Sequence, residues 1–165
     1  MRHHMRLIIA GLLLSSAIVL GAEPPGRLVG TWQLVSRVDR DLGGKIVPDP
    51  SLGPDPIGYL IYDGSGHVAV QLMGRHRSSD PCQVTAPAEA NNLAHVGGYD
   101  AYFGRYEVDH AASTVTHILE GALSQADVGR SLVRRFKLDG DTLAIEFEPG
   151  AKGRTRTLTW RRVSP

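Results

Sequence analysis

The sequence predicts an all-β chain: one eight-stranded antiparallel up-and-down barrel with a short helix capping one end. Two observations carry this. Short segments alternate apolar and polar residues at period two, the mark of strands with one buried and one wetted face. Tight turn signals separate most of them, so consecutive strands form hairpins. Eight strands in such a meander close on themselves and leave no exposed edge.

The first strand runs from Gly30 to Val38, with Trp32 and Leu34 on one side and Gln33 and Arg37 on the other. Residues 39 to 57 hold Gly43, Gly44, Pro48, Pro50, Gly53, Pro54 and Pro56. Prolines this dense do not fit a central strand, so a long surface loop is expected. Gly58–Tyr62 and His67–Met73 flank Asp63-Gly64-Ser65-Gly66, a hairpin connection with residues suited to positive φ. Gly64-Ser65-Gly66 is read as this turn, because the strand–turn–helix setting of a nucleophile is absent. In Pro87–Val96, Ala88, Glu89, Ala90, Leu93 and Ala94 favour a helix. Pro87 suits its first turn and Gly97-Gly98 its end, giving the cap. Five strands follow: Asp100–Val108, Ser113–Glu120, Val128–Leu138, Thr142–Phe147 and Arg154–Val163.

The N-terminus reads as a cleavable signal peptide over residues 1–22, leaving 23–165 as the barrel domain. Arg2 and Arg6 precede an apolar and small-residue run from Leu7 to Leu20, with Gly21 and Ala22 before Glu23-Pro24-Pro25. That run is shorter than the roughly 20 residues a membrane helix needs. A periplasmic or secreted protein with no membrane span in its mature form is expected. Without residues 1–22 the chain has 16 basic and 17 acidic residues. Such a balance provides no field for gathering nucleic acid. Cys82 is the only cysteine and can form no intrachain disulfide. His67, His76, His95, His110 and His117 show no chelating spacing, so neither a metal nor another cofactor is expected.

Alternation also predicts the interior. Leu132, Phe136 and Leu138 share a face with Arg134; Val115 and Leu119 share one with His117. Tyr102, Gly104, Tyr106 and Val108 lie together, as do Leu158 and Trp160, and Leu143, Ile145 and Phe147 complete an apolar wall. An apolar lumen with a few polar groups has the composition of a small-molecule pocket. The candidate ligand-binding residues are Tyr59, Gln71, Tyr102, Tyr106, His117, Arg134 and Trp160. A buried Arg134 needs a partner. A ligand carboxylate or enolate could serve, and so could Glu107 or Glu120 if turned inward.

The chain from about residue 27 to 163 resembles the bacterial and fungal lipocalin-like domain family. The likeness is carried by Leu28-Val29-Gly30-Thr31-Trp32-Gln33-Leu34-Val35-Ser36, by Gly53-Pro54-Asp55-Pro56-Ile57-Gly58-Tyr59-Leu60-Ile61-Tyr62 and by Gly66-His67-Val68-Ala69-Val70-Gln71-Leu72-Met73. Ala101-Tyr102-Phe103-Gly104-Arg105-Tyr106-Glu107-Val108, Thr114-Val115-Thr116-His117, Glu120-Gly121, Val133-Arg134-Arg135-Phe136 and Leu138-Asp139-Gly140-Asp141-Thr142-Leu143 complete it. The resemblance implies an eight-stranded lipocalin-like barrel with a cavity. It names no activity. Three functions follow from the residues: binding of a small apolar or amphipathic molecule, anions included; a cofactor-free isomerase or cyclase using His117, Arg134 and Tyr106; or a filled-core structural or interaction module.

Overall fold

A computed structural model describes residues 26–77, 84–86, 93, 95–149 and 153–164. Its strands are β1 (Gly30–Arg40), β2 (Ile46–Val47), β3 (Ile57–Tyr62), β4 (His67–Met73), β5 (Val84–Ala86), β6 (His95–Val96), β7 (Tyr99–Asp109), β8 (Thr114–Ala122), β9 (Ser131–Asp139), β10 (Thr142–Phe147) and β11 (Thr155–Ser164). The eight long ones pair antiparallel in the cyclic order β1-β3-β4-β7-β8-β9-β10-β11. The ring is closed by β4 on β7 and by β1 on β11. This is the predicted up-and-down barrel, with element ends within about three residues of expectation. It closes because every polar backbone edge then finds a partner.

Of the predicted cap helix, His95-Val96 form β6, hydrogen-bonded to β5 and β7, so Pro87–Val96 is not helical to its end. Leu93 is buried in the core. Residues 87–92 and 94, Cys82 and residues 1–22 lie outside the described residues. Among those described, the only helical piece is the short 3-10 turn Gln125–Asp127.

The alternation places Trp32, Leu34, Leu60, Val68, Val70, Leu119, Leu132, Leu143, Leu158 and Trp160 inside, all buried. One end is plugged by Trp32, whose Nε1–H donates to the Leu28 carbonyl at 2.9 Å. The Arg162 guanidinium lies 4.0 Å from the Trp32 ring and donates to the carbonyls of Val29 and Arg27. Close packing at Gly104 on β7 is tighter still. A Cβ there would meet the Ile118 carbonyl oxygen at 2.0 Å and the Glu120 nitrogen at 2.8 Å. Both are backbone atoms of β8 that cannot rotate away. Gly104→Ala should therefore cost about 1–3 kcal/mol, the range for overpacking, read as a lower urea midpoint at unchanged slope. An unchanged midpoint would show that β8 can yield.

β1 departs from the expected pattern. Leu34 pairs with Trp160 but Ser36 pairs with Thr159, so Val35 is an extra residue on β1 and sits exposed. A bulge of this kind shifts the inward phase by one position. Trp32 and Leu34 face in before it; Arg37 and Asp39 face in after it. Arg37, expected on the wet face, has a side chain only 3% exposed.

Candidate functional site

Inside the barrel lies a cavity lined by Leu60, Val70, Leu72, Leu93, Ile145, Phe147, Leu158 and Trp160, with Tyr102, His117, His95, Asp100, Arg37, Arg134 and Arg156 as its polar members. The cavity volume is about 30 Å³. This is far below the roughly 300–1,000 Å³ of drug-sized sites. The space suits a small head group rather than a long chain.

Its first polar layer is a three-ring chain. The Tyr62 hydroxyl lies 2.7 Å from His117 Nε2, and the Tyr102 hydroxyl lies 2.9 Å from His117 Nδ1. Burial and the nearby Arg134 charge pull the His117 pKa down to about 3. The ring is neutral across the physiological range, with one nitrogen a donor and the other an acceptor. Burial likewise lifts both tyrosines well above their ordinary value.

Arg134 is 2% exposed, donates to the Val133 carbonyl at 3.2 Å and stacks 4.1 Å from the Phe147 ring centre. Burial lowers its pKa to about 10, so it stays charged at neutrality. Glu107 and Glu120 do not turn inward. Both are on the wet face, and Glu120 accepts from Arg105 at 2.9 Å.

The second layer was not legible in the sequence. Asp39 accepts from Arg37 at 2.9 and 3.1 Å and from Arg156 at 3.0 to 3.2 Å. Asp49 accepts from Arg37 at 2.5 Å and from the Leu52 and Ser51 amides at 2.7 and 2.9 Å. The Ser51 hydroxyl spans Asp49 and His95 Nδ1. His95 Nε2 is 3.8 Å from Asp100. Burial opposes ionisation of Asp39 and Asp49, but the Arg37 contacts and the other donors outweigh it; both are lowered, Asp49 to about 2. Burial lowers His95 to about 4. At Asp100 burial wins over the attraction of Arg37, Arg156 and Arg134, and the pKa rises to about 7.

Of the predicted binding residues, Tyr102, His117, Arg134 and Trp160 line the cavity together. Tyr106 is buried but does not line it; its hydroxyl donates to the Asp63 carbonyl at 2.8 Å and its ring packs on Tyr62 at 4.7 Å. Tyr59 and Gln71 are corrections: both are exposed, and Gln71 accepts from the Tyr99 hydroxyl on the outer surface. Leu60 and Tyr62, Val70 and Leu72 take the inward positions on those strands, which sends Tyr59 and Gln71 out. Sequence reasoning missed Arg37, Arg156, Asp100 and His95. Arg156 shares the Leu158–Trp160 face and could have been read from it; Arg37 could not, because nothing in the sequence marks the Val35 bulge.

Among the described residues no three His, Cys, Asp or Glu side chains gather as a metal site. No helix there is long and apolar enough to cross a membrane. No curated protein and no solved structure matches the chain significantly. The family model described as lipocalin-like domain matches residues 29–163. With the closed eight-stranded ring and its internal cavity, that match means the chain belongs to the lipocalin-like domain family, whose barrel architecture can enclose a ligand.

Proposed function

We propose that the barrel binds a small, partly apolar organic acid in its lumen. One observation carries the reading: three guanidiniums, Arg37, Arg134 and Arg156, line one cavity with apolar walls, against two ionised carboxylates, Asp39 and Asp49, paired with Arg37 and Arg156 behind that wall. The wall carboxyl among the described residues is Asp100, and its raised pKa leaves it about half protonated near neutrality. Guanidinium donors recognise carboxylates with charge-assisted bonds, strongest where water is excluded. Leu60, Val70, Leu72, Ile145 and Leu158 suit the hydrocarbon part.

We infer also that the protein is exported, on the strength of Arg2, Arg6 and the Leu7–Leu20 apolar run. N-terminal sequencing of protein recovered outside the cytoplasm should begin near Glu23. Intact Met1 in that material would contradict cleavage.

The binding test is a thermal-shift and native mass titration with straight-chain carboxylates from acetate to hexanoate, beside the alcohols of equal length. The acids should raise the melting temperature and the alcohols should not. Arg134→Met should weaken acid binding about tenfold to a hundredfold, the worth of a charge-assisted bond. No binding by any acid would overturn the reading and favour a barrel whose core is purely structural.

A further inference from the structure

The outer wall of the barrel is divided by charge. On the β9–β10 side it carries exposed ion pairs, Arg135 with Glu148 at 2.8 Å and Lys137 with Glu146 at 2.7 Å. Across β1, β3, β4 and β7 two consecutive rows of outward positions carry no charge. Strand register aligns Thr31, Ile61, Ala69, Phe103 and Gly121 in one row. Gln33, Tyr59, Gln71 and Ala101 form the next. Tyr59 and Ile61 are exposed, and Phe103 is 59% exposed. The Phe103 ring covers Gly121 of β8, where a Cβ would meet it at 2.4 Å, so this aromatic side chain is seated before any partner arrives. Charges return at the two ends: Arg77 stands 5.2 Å from the Tyr99 ring centre, and Arg105 pairs with Glu120 at 2.9 Å. An aromatic, charge-free centre inside a charged rim is the make-up of a protein–protein interface.

The polar groups of this face select its occupant. Thr31, Gln33, Tyr59 and Gln71 carry hydroxyls and amides, which both donate and accept. Such a face complements itself. A copy turned about a two-fold axis meets each donor with an acceptor, and no like charges are brought together. A charged partner finds no charge here to recognise. A lipid surface fits worse, because acyl chains would strip water from Gln33 and Gln71 and return no hydrogen bond.

The area sets the strength. Five strands about 4.8 Å apart span roughly 19 Å, and the length of Ile57–Ile61 adds roughly 17 Å, so the face covers roughly 300 Å². That is the size at which exposed patches on monomers become functional. It is a little under half of the roughly 800 Å² that each partner gives to a standard interface, and the rim supplies the rest. We propose that the β1–β3–β4–β7 face docks a second copy of this chain as a two-fold dimer, with Tyr59, Ile61 and Phe103 at its centre and a Kd of about 10 µM. Dimerisation uses the outward residues of strands whose inward residues line the cavity, so it does not depend on acid binding.

The test is sedimentation velocity on protein expressed from the full-length chain, from about 1 to 300 µM. The parent should pass from monomer to dimer across that range. Ile61→Glu and Phe103→Glu should each raise the dimer Kd about thirtyfold or more, the worth of an interface hot spot. Val133→Glu places the same charge on exposed β9, away from this face, and should leave the Kd unchanged. Circular dichroism and melting temperature report whether each variant keeps the barrel. If the Ile61 and Phe103 variants do not fold, hydroxyl-radical footprinting of the parent decides. Tyr59 and Phe103 should then be oxidised more slowly at 300 µM than at 1 µM, and equal rates overturn the inference. A parent that stays monomeric at 300 µM overturns it, whether or not it binds phosphatidylcholine vesicles; binding there would assign the face to a lipid surface. A dimer that survives both Ile61→Glu and Phe103→Glu uses another face and also overturns it.

Discussion

Asp39→Ala should cost about 3–5 kcal/mol of folding stability, the range for removing one member of a buried charge network. Asp39 is 3% exposed and is the shared acceptor of Arg37 and Arg156. Without it two guanidiniums crowd together, with Asp49 as the remaining carboxylate in contact with Arg37, and Asp49 is 3.7 Å from Arg156. The loss should appear in urea titrations at pH 7 as a lower midpoint with unchanged slope. It should shrink in acid. The folded Asp39 pKa lies below its unfolded value near 3.8, so its stabilisation is present above that value and is lost as pH falls through the folded pKa. A combined Arg37→Met, Asp39→Leu, Arg156→Met variant should regain most of the loss, because apolar replacement removes the stranded charges. A single variant that costs under about 1 kcal/mol would mean the network is solvated and behaves like a surface cluster.

Asp100→Asn should do the opposite and stabilise the protein above pH 7, by up to about 4 kcal/mol at 1.36 kcal/mol per pKa unit. The folded Asp100 holds its proton up to about pH 7, whereas the unfolded chain releases it near 3.8. Between those values the unfolded state binds fewer protons, so stability falls as pH rises, then levels off. His95 and His117 act in the other sense. They stay neutral in the fold down to about 4 and 3, while the unfolded chain takes protons below about 6.5, so stability rises with pH across that window. In the parent the one Asp100 trend offsets about half of the combined slope of the two histidines. In Asp100→Asn the rising histidine slope should stand alone from about pH 4 to 6.5. Superimposable melting-temperature profiles for parent and variant from pH 4 to 8 would mean Asp100 is ionised like an ordinary surface carboxyl.

The same titration bears on ligand capture. In the acid-binding reading proposed above, an ionised Asp100 would add a negative charge to the cavity wall and weaken capture of a carboxylate above pH 7.

The barrel itself was legible because its signals are local. Alternation within each strand and turn residues such as Asp63-Gly64 and Asp139-Gly140 act over a few positions and survive in any tertiary setting. The same alternation correctly placed Arg134 with Leu132, His117 with Val115, and Trp160 with Leu158 on inward faces. On β3 the same period puts Leu60 and Tyr62 on one face and Tyr59 on the other, and burial of the first two leaves the Tyr59 ring in solvent.

What the sequence alone determined is therefore the eight barrel strands, their order, and which side of most of them is buried; the short β2, β5 and β6 were not among them. Tertiary structure decided the site. The Val35 bulge arises only when β1 pairs with β11, and it alone turns Arg37 and Asp39 inward. Asp49, Ser51, His95 and Asp100 come from a proline-rich loop and two strand starts, brought to one end of the barrel by ring closure. Pairing register and closure are long-range properties, set by the packing of the whole ring, and no local pattern encodes them.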